Sequence, residues 1–125
     1  MFFILTLIKE SVEASSTASG GSLSFPLKMV LSDMSVNFNE PINIKKYAEM
    51  CHLSEDSFIR MFKRNMGCPP YRYQLKIRIE RAVELLENSG MNVCQCGETV
   101  GFPDNAYFCR IFKKFTGHTP SYYRK

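Results

Sequence analysis

The sequence holds no pair of carboxylates spaced for acid–base work, no nucleophile with a neighbouring base and no glycine-rich loop of the kind that cradles phosphate. Those absences leave the common enzyme chemistries without their parts, so neither catalysis nor a cofactor is expected. A regular cysteine framework is missing as well. Cys51, Cys68, Cys94, Cys96 and Cys109 make an odd five with no regular spacing, which argues against a disulfide scaffold and for reduced thiols in the cytoplasm. Cys94-x-Cys96 is tighter than the usual zinc pair, and neither His52 nor His118 stands at a partner's spacing, so no metal ligand is assigned. Long hydrophobic runs are missing too. The apolar stretch Phe2 to Ile8 lacks a charged leader and is far too short to span a bilayer, so no membrane partner is expected. It reads as a helix fragment, and Ser15 to Ser22 after it as a flexible linker.

What remains is a chain of 125 residues, enough for one domain of ordinary size or two very small lobes sharing a core. Its 45% hydrophobic and 22% charged content is that of a globular protein. The net charge of +4 is unevenly placed: residues 43–125 carry 14 Lys plus Arg against 8 Asp plus Glu, whereas residues 1–42 carry 2 against 4. A basic excess confined to one region suits an anionic partner such as nucleic acid, although a merely solvated basic face would give the same count.

That basic region contains a repeat. Ser57-Phe58-Ile59-Arg60-Met61-Phe62-Lys63-Arg64 is echoed by Tyr107-Phe108-Cys109-Arg110-Ile111-Phe112-Lys113-Lys114. Gly67, Pro70 and Tyr73 follow the first copy at the distances at which Gly117, Pro120 and Tyr123 follow the second. One supersecondary unit has been used twice. The copies align 49 residues apart before their turns (Leu53 with Phe102) and 50 after them, so the second turn carries one extra residue.

Apolar spacing makes every element a helix. Leu27, Val30, Leu31, Met34 and Phe38 form one stripe of a helix beginning near Pro26 and ended by Asn39-Glu40-Pro41. Asn43 caps a short helix, Ile44 to Cys51; His52-Leu53-Ser54 is the turn, and Ser54 caps a helix from Glu55 to Met66 that Gly67 stops. Two helices joined by about three residues are a helix-turn-helix. Pro69-Pro70 opens a long helix, Tyr71 to Asn88, apolar on more than one face and so able to contact a lobe at each end. Asn92 caps the next helix, Val93 to Val100; Gly101 to Asp104 is the second turn; and Asn105 to Thr116 is the last long helix before Pro120 opens a closing turn. The fold class is all-α.

If Phe58, Met61 and Phe62 point inward, Asp56, Ile59, Arg60 and Lys63 project from the opposite face of their helix. The equivalent face of the second unit is Asn105, Ala106, Cys109, Arg110 and Lys113. Each face offers an Arg able to take guanine O6 and N7 with two donors, and a Lys one turn later suited to phosphate. An exposed Ile59 suits a thymine methyl, and Asp56 either accepts from a cytosine amine or orients Arg60. Packing constrains the Phe of the doubled Arg-x-Phe-Lys but not the Arg.

These residues resemble the AraC/XylS transcriptional regulators. The DNA-binding domain of that family ends in a pattern like G-F-x-D-x-S-Y-F-x-R-x-F-K-K-x-x-G-x-T-P-x-x-Y-R, matched here from Gly101-Phe102 through Tyr107-Phe108, Arg110, Phe112-Lys113-Lys114, Gly117 and Thr119-Pro120 to Tyr123-Arg124. Ala48, Leu53-Ser54, Phe62-Lys63, Gly67, Tyr73 and Arg78-x-x-Arg81-Ala82-x-x-Leu85-Leu86 also follow it, so the resemblance covers about residues 25–125. It implies seven helices in two helix-turn-helix subdomains joined by a long central helix, with lobe one at 25–70, the linker helix at 70–89 and lobe two at 90–125, after an apolar segment and Ser/Gly-rich linker at 1–24. It implies that both recognition helices enter adjacent major grooves about 10 bp apart. The base-reading positions carried over are Asp56, Ile59 and Arg60, then Asn105, Ala106, Cys109 and Arg110; Lys63 and Lys113 match backbone-contacting positions.

This sequence departs from the family pattern in three places. Gly97 stands where the family usually has Ala, a cost of up to about 1 kcal/mol in a short helix. Ala106 replaces a Ser and Pro103 a common cap, so the second recognition helix is expected to start differently from the pattern. The function expected is a cytoplasmic, sequence-specific regulator of transcription, an activator, with double-stranded DNA as partner and RNA polymerase as a second candidate. The alternative is a redox- or metal-responsive regulator working through Cys94, Cys96 or Cys109. Members of the family occur both with an upstream effector and dimerisation domain and as stand-alone chains of this size, and the sequence is open to either.

Overall fold

Serine, asparagine and aspartate stand before the apolar stripes of this chain, and in the computed structural model, which describes residues 24–124, most helices begin on one of them. Seven helices and no strands are present among the described residues: α1 (Phe25–Val36), α2 (Ile44–Met50), α3 (Glu55–Met66), α4 (Pro70–Asn88), α5 (Val93–Thr99), α6 (Asn105–Thr116) and α7 (Pro120–Tyr123). The helix expected at Phe2 to Ile8 and the linker after it lie outside the described residues. Asn43 Oδ1 accepts from the Lys46 amide at 3.0 Å and Ser54 Oγ from the Ser57 amide at 3.2 Å, satisfying donors that a helix start leaves without partners. Asn92 and Gln95 exchange bonds in a full capping box at the start of α5. Asp104 caps α6 through the Ala106 amide at 2.9 Å, so Pro103 and Ala106 leave its start in register with that of α3.

The two turns use the same device. The Leu53 amide reaches back to Ala48 O at 3.0 Å and the Phe102 amide to Gly97 O at 2.8 Å, the six-to-one bond that closes a helix on a left-handed residue. That residue is His52 (φ 58°) in the first unit and Gly101 (φ 104°) in the second. The histidine bears the strain that the glycine avoids.

Two apolar clusters form the core. The first joins Leu27, Val30, Met34, Tyr47, Ala48, Phe58, Phe62 and Met66; the second joins Ile79, Ala82, Val83, Leu86, Cys96, Val100, Phe102, Phe108 and Phe112. The repeated aromatics are repeated contacts. Phe58–Phe62–Tyr73 pack with ring centroids 5.8 and 5.5 Å apart, and Phe108–Phe112–Tyr123 with 5.7 and 5.5 Å. Each buried Phe contributes on the order of 2–3 kcal/mol by leaving water. Helix α4 serves both clusters: Tyr73 and Ile77 pack on the first, while Ile79, Ala82, Val83 and Leu86 enter the second.

Two expectations are corrected by this packing. Phe38 is not on the stripe of α1, because the helix closes when the Asn37 amide bonds Asp33 O at 2.8 Å; the Phe38 side chain packs against the second cluster instead. Gly97 is not simply a cost. A methyl there would meet Phe108 Cδ2 at 2.8 Å and Cγ at 3.0 Å, so the missing side chain is what lets the Phe108 ring lie against α5.

Candidate nucleic-acid interface

Helices α3 and α6 each follow the turn of a helix-turn-helix and bury one side only, Phe58, Phe62 and Met66 on α3 and Phe108 and Phe112 on α6. The opposite side is therefore presented outward. Asp56, Arg60 and Lys63 on α3 are exposed, as are Asn105, Ala106, Arg110 and Lys113 on α6. Ile59 and Cys109 are not. Both are half-buried and lean on their own lobe's core, because each directly follows the innermost Phe of its helix; the expectation of an exposed Ile59 is corrected to an exposed edge.

The two arginines are held differently. Arg60 Nη2 lies 3.5 Å from Ser57 Oγ, a residue one turn back, rather than on Asp56. Arg110 lies with its guanidinium 5.7 Å from the centre of the Tyr107 ring, the residue at the same repeat position as Ser57. Where the small Ser57 leaves space, a shallow recess of about 240 Å³ opens between Leu53, Ser57, Arg60, Met61 and Arg64. The two faces thus share a charge pattern and differ in shape.

Among the described residues Lys46–Asp33 and Arg81–Glu84 are ion pairs, and neither involves Arg60, Lys63, Arg64, Arg110, Lys113 or Lys114, which are exposed and suited to an external anion. Arg64 and Lys114 add to the positions expected from the sequence, where their signal is the doubled Lys-Arg and Lys-Lys pair that closes each repeat. The acidic first turn of α3 (Glu55, Asp56) and basic last turns of both helices (Lys63-Arg64, Lys113-Lys114) also suit the helix dipoles.

Cys51 and Cys109 are half-buried, and the Cys94-x-Cys96 pair is split between two environments. Cys96 is buried, its thiol donating toward Ala82 O at 3.4 Å, and burial pushes its pKa up to about 11. Cys94 is exposed, and its bond to Glu98 Oε1 at 3.5 Å holds the thiol above its usual range. Both shifts oppose the thiolate that redox chemistry requires. Among the described residues no three His, Cys, Asp or Glu side chains gather as a metal site would need, and no helix is long and apolar enough to cross a membrane.

A pair of helix-turn-helix units on a shared long helix, each aiming one basic face outward, defines a class of double helix-turn-helix protein. Comparison with known proteins gives the family. A helix-turn-helix domain family matches residues 47–125. The MmsAB operon regulatory protein of Pseudomonas aeruginosa is 36% identical over 84 residues, covering 67% of this chain and 27% of that protein. An AraC-type DNA-binding domain-containing transcriptional regulator from Chromobacterium violaceum superposes with a TM-score of 0.72 at 28% identity, covering 79% of this chain and 88% of that one. The DNA-binding domain of AdpA, solved in complex with a target DNA, superposes with a TM-score of 0.74 at 26% identity, covering 81% of this chain and 91% of that one. The chain belongs to the AraC-type helix-turn-helix family, a family of DNA-binding transcription regulators. It spans 26–28% of the length of three curated relatives: the MmsAB operon regulatory protein, an uncharacterised helix-turn-helix transcriptional regulator of Haemophilus influenzae and the transcriptional regulator GbdR of Pseudomonas aeruginosa.

Proposed function

We propose that this chain binds duplex DNA sequence-specifically, with α3 and α6 reading two parts of one asymmetric site of roughly 15–20 bp from adjacent major grooves. The observation that carries the reading is the set of six Lys and Arg side chains on two equivalent helix faces, all of them exposed and outside the Lys46–Asp33 and Arg81–Glu84 ion pairs. Asp56, Arg60 and the outer edge of Ile59 read bases in the first half. Asn105, Ala106, Arg110 and the edge of Cys109 read them in the second. Lys63 and Lys113, with Arg64 and Lys114 beside them, contact phosphates. Because Arg60 is backed by a hydroxyl and a recess while Arg110 is backed by an aromatic ring, the two halves of the site differ in sequence.

Activation of transcription, with RNA polymerase as a second partner, follows from the resemblance to the AraC/XylS regulators. The resemblance allows both a stand-alone chain and one with an upstream effector and dimerisation domain, and the quarter-length match to the curated relatives fits the second. Such a regulator acts in the cytoplasm, where its DNA is.

Selection of binding sites from random duplexes tests the reading. Arg60→Ala or Arg110→Ala is expected to cost about 1–3 kcal/mol at one or two base positions, each in a different half of the site. Lys63→Ala weakens all sequences evenly and flattens the salt dependence by about one unit of slope. Equal loss on selected and random duplexes for both Arg variants would refute the assignment of base readers.

A further inference from the structure

Each lobe has its own core, yet a double reader is useful only if its two recognition helices keep one fixed relation. At the middle of α4 a single side chain reaches into both lobes. Arg78 is 9% exposed, and its Nε donates to Phe38 O at 2.6 Å while Nη2 donates to Glu40 O at 3.0 Å, both in the loop between α1 and α2. Its Nη1 donates to Gly101 O at 3.1 Å, in the turn that leads into α6. Gln74, one turn earlier on α4, adds a bond to Glu40 O at 2.8 Å. The guanidinium also faces the Phe102 ring, 5.4 Å from its centre.

Nothing about lobe packing requires a charge here. Burial pushes the Arg78 pKa down, and its charge is met by three carbonyl oxygens in place of a carboxylate. Burying a cation is costly unless hydrogen bonds satisfy it, and here the bonds that do so come from both lobes. What they secure is direction, since a planar fork satisfies three carbonyls only when both loops stand in one arrangement. Gly101 closes the joint from the other side. At φ 104° a methyl there would lie 2.9 Å from Asn39 Cα and O and 3.0 Å from Arg78 Cζ, so the lobe-two turn touches the lobe-one loop through bare backbone.

We propose that Arg78, with Gly101 against it, is a positioning residue that fixes the spacing at which α3 and α6 meet DNA. The proposal rests on the double-reader function above. Four residues after Gly101 the recognition helix α6 begins, so a shift of that turn re-aims Arg110 without touching it.

The test is site selection from a random duplex pool with the wild-type chain, Arg78→Lys, Arg78→Gln and Gly101→Ala, each first checked for cooperative thermal unfolding. Wild type is expected to select two sequence elements at one spacing. The variants are expected to select the same two elements at a broadened or shifted spacing. On the wild-type duplex they should bind about tenfold more weakly, and on duplexes carrying a single element within about twofold of wild type, since only the linkage between the readers is lost. Arg78→Lys keeps the charge and loses the fork, so it reports if the Gln variant does not fold. Unchanged spacing in every folded variant would overturn the proposal, as would equal weakening on single-element and two-element duplexes. A wild-type chain that selects no motif would instead refute the DNA-reading function itself.

Discussion

Replacing Gly97 by alanine sets helix propensity against packing in the second lobe, and the first lobe supplies the control. Alanine would gain about 1 kcal/mol of propensity in α5. Its methyl, however, would stand 2.8 Å from Phe108 Cδ2, closer than carbon atoms rest. Phe108 is fully buried, with Phe102 on one side at 5.2 Å between ring centres and Phe112 on another at 5.7 Å, so its ring has nowhere to retreat. Overpacking of this kind costs about 1–3 kcal/mol, and the net effect expected for Gly97→Ala is a loss of about 1 kcal/mol. Ala48 holds the same repeat position in α2 and is buried. Ala48→Gly loses the propensity and a buried methyl together, about 1.5–2 kcal/mol. In thermal unfolding followed by far-ultraviolet circular dichroism, each lost kcal/mol should lower Tm by about 4–8 °C. A higher Tm for Gly97→Ala would refute the reasoning, because it would mean that the Phe108 ring yields at almost no cost and that the glycine is only a weak point in the helix.

Asp33 makes the acid limb of stability testable. Its carboxylate accepts from Tyr47 Oη at 2.6 Å and Asn37 Nδ2 at 3.0 Å and sits 3.5 Å from Lys46 Nζ; the Tyr47 bond, with help from Lys46 and Asn37, holds its pKa below the usual 3.8. A lowered folded pKa means stability that is present above 3.8 and lost as pH falls through the folded value. Asp33→Asn should therefore be less stable than wild type by about 1 kcal/mol at neutral pH, with the gap closing in denaturant titrations below that window; a gap that does not narrow on acidification would count against the carboxylate's role. Thiol alkylation of the native chain at near-neutral pH, mapped by mass spectrometry, should label exposed Cys94 first and half-buried Cys109 next, leaving Cys96 unmodified until the second lobe unfolds. Labelling of Cys96 as fast as Cys94 would show that α5 opens without global unfolding.

The sequence by itself determined the six longer helices, most of their starts and the doubling, while Asp104, read as the end of a turn, proved to be the cap of α6. Asn43, Ser54, Asn92 and Asp104 are short polar side chains before apolar stripes, and capping is a local event that depends on a residue and the three that follow it. The outward faces of α3 and α6 were equally legible, since a helix that buries Phe58 and Phe62, or Phe108 and Phe112, must turn Arg60 or Arg110 away. Periodicity could not grade that exposure. Ile59 and Cys109 lie at the edge of the buried stripe, and whether an edge residue is covered depends on what the neighbouring helix brings to it. The tertiary structure alone decided the joint between the lobes. Phe38 leaves its helix to pack on the other lobe, Gly97 is empty because Phe108 arrives from another helix, and Arg78 bonds carbonyls 40, 38 and 23 residues away. Backbone carbonyls look alike in any sequence, so contacts with them have no pattern along the chain, and only the folded path of the two loops brings them to one guanidinium.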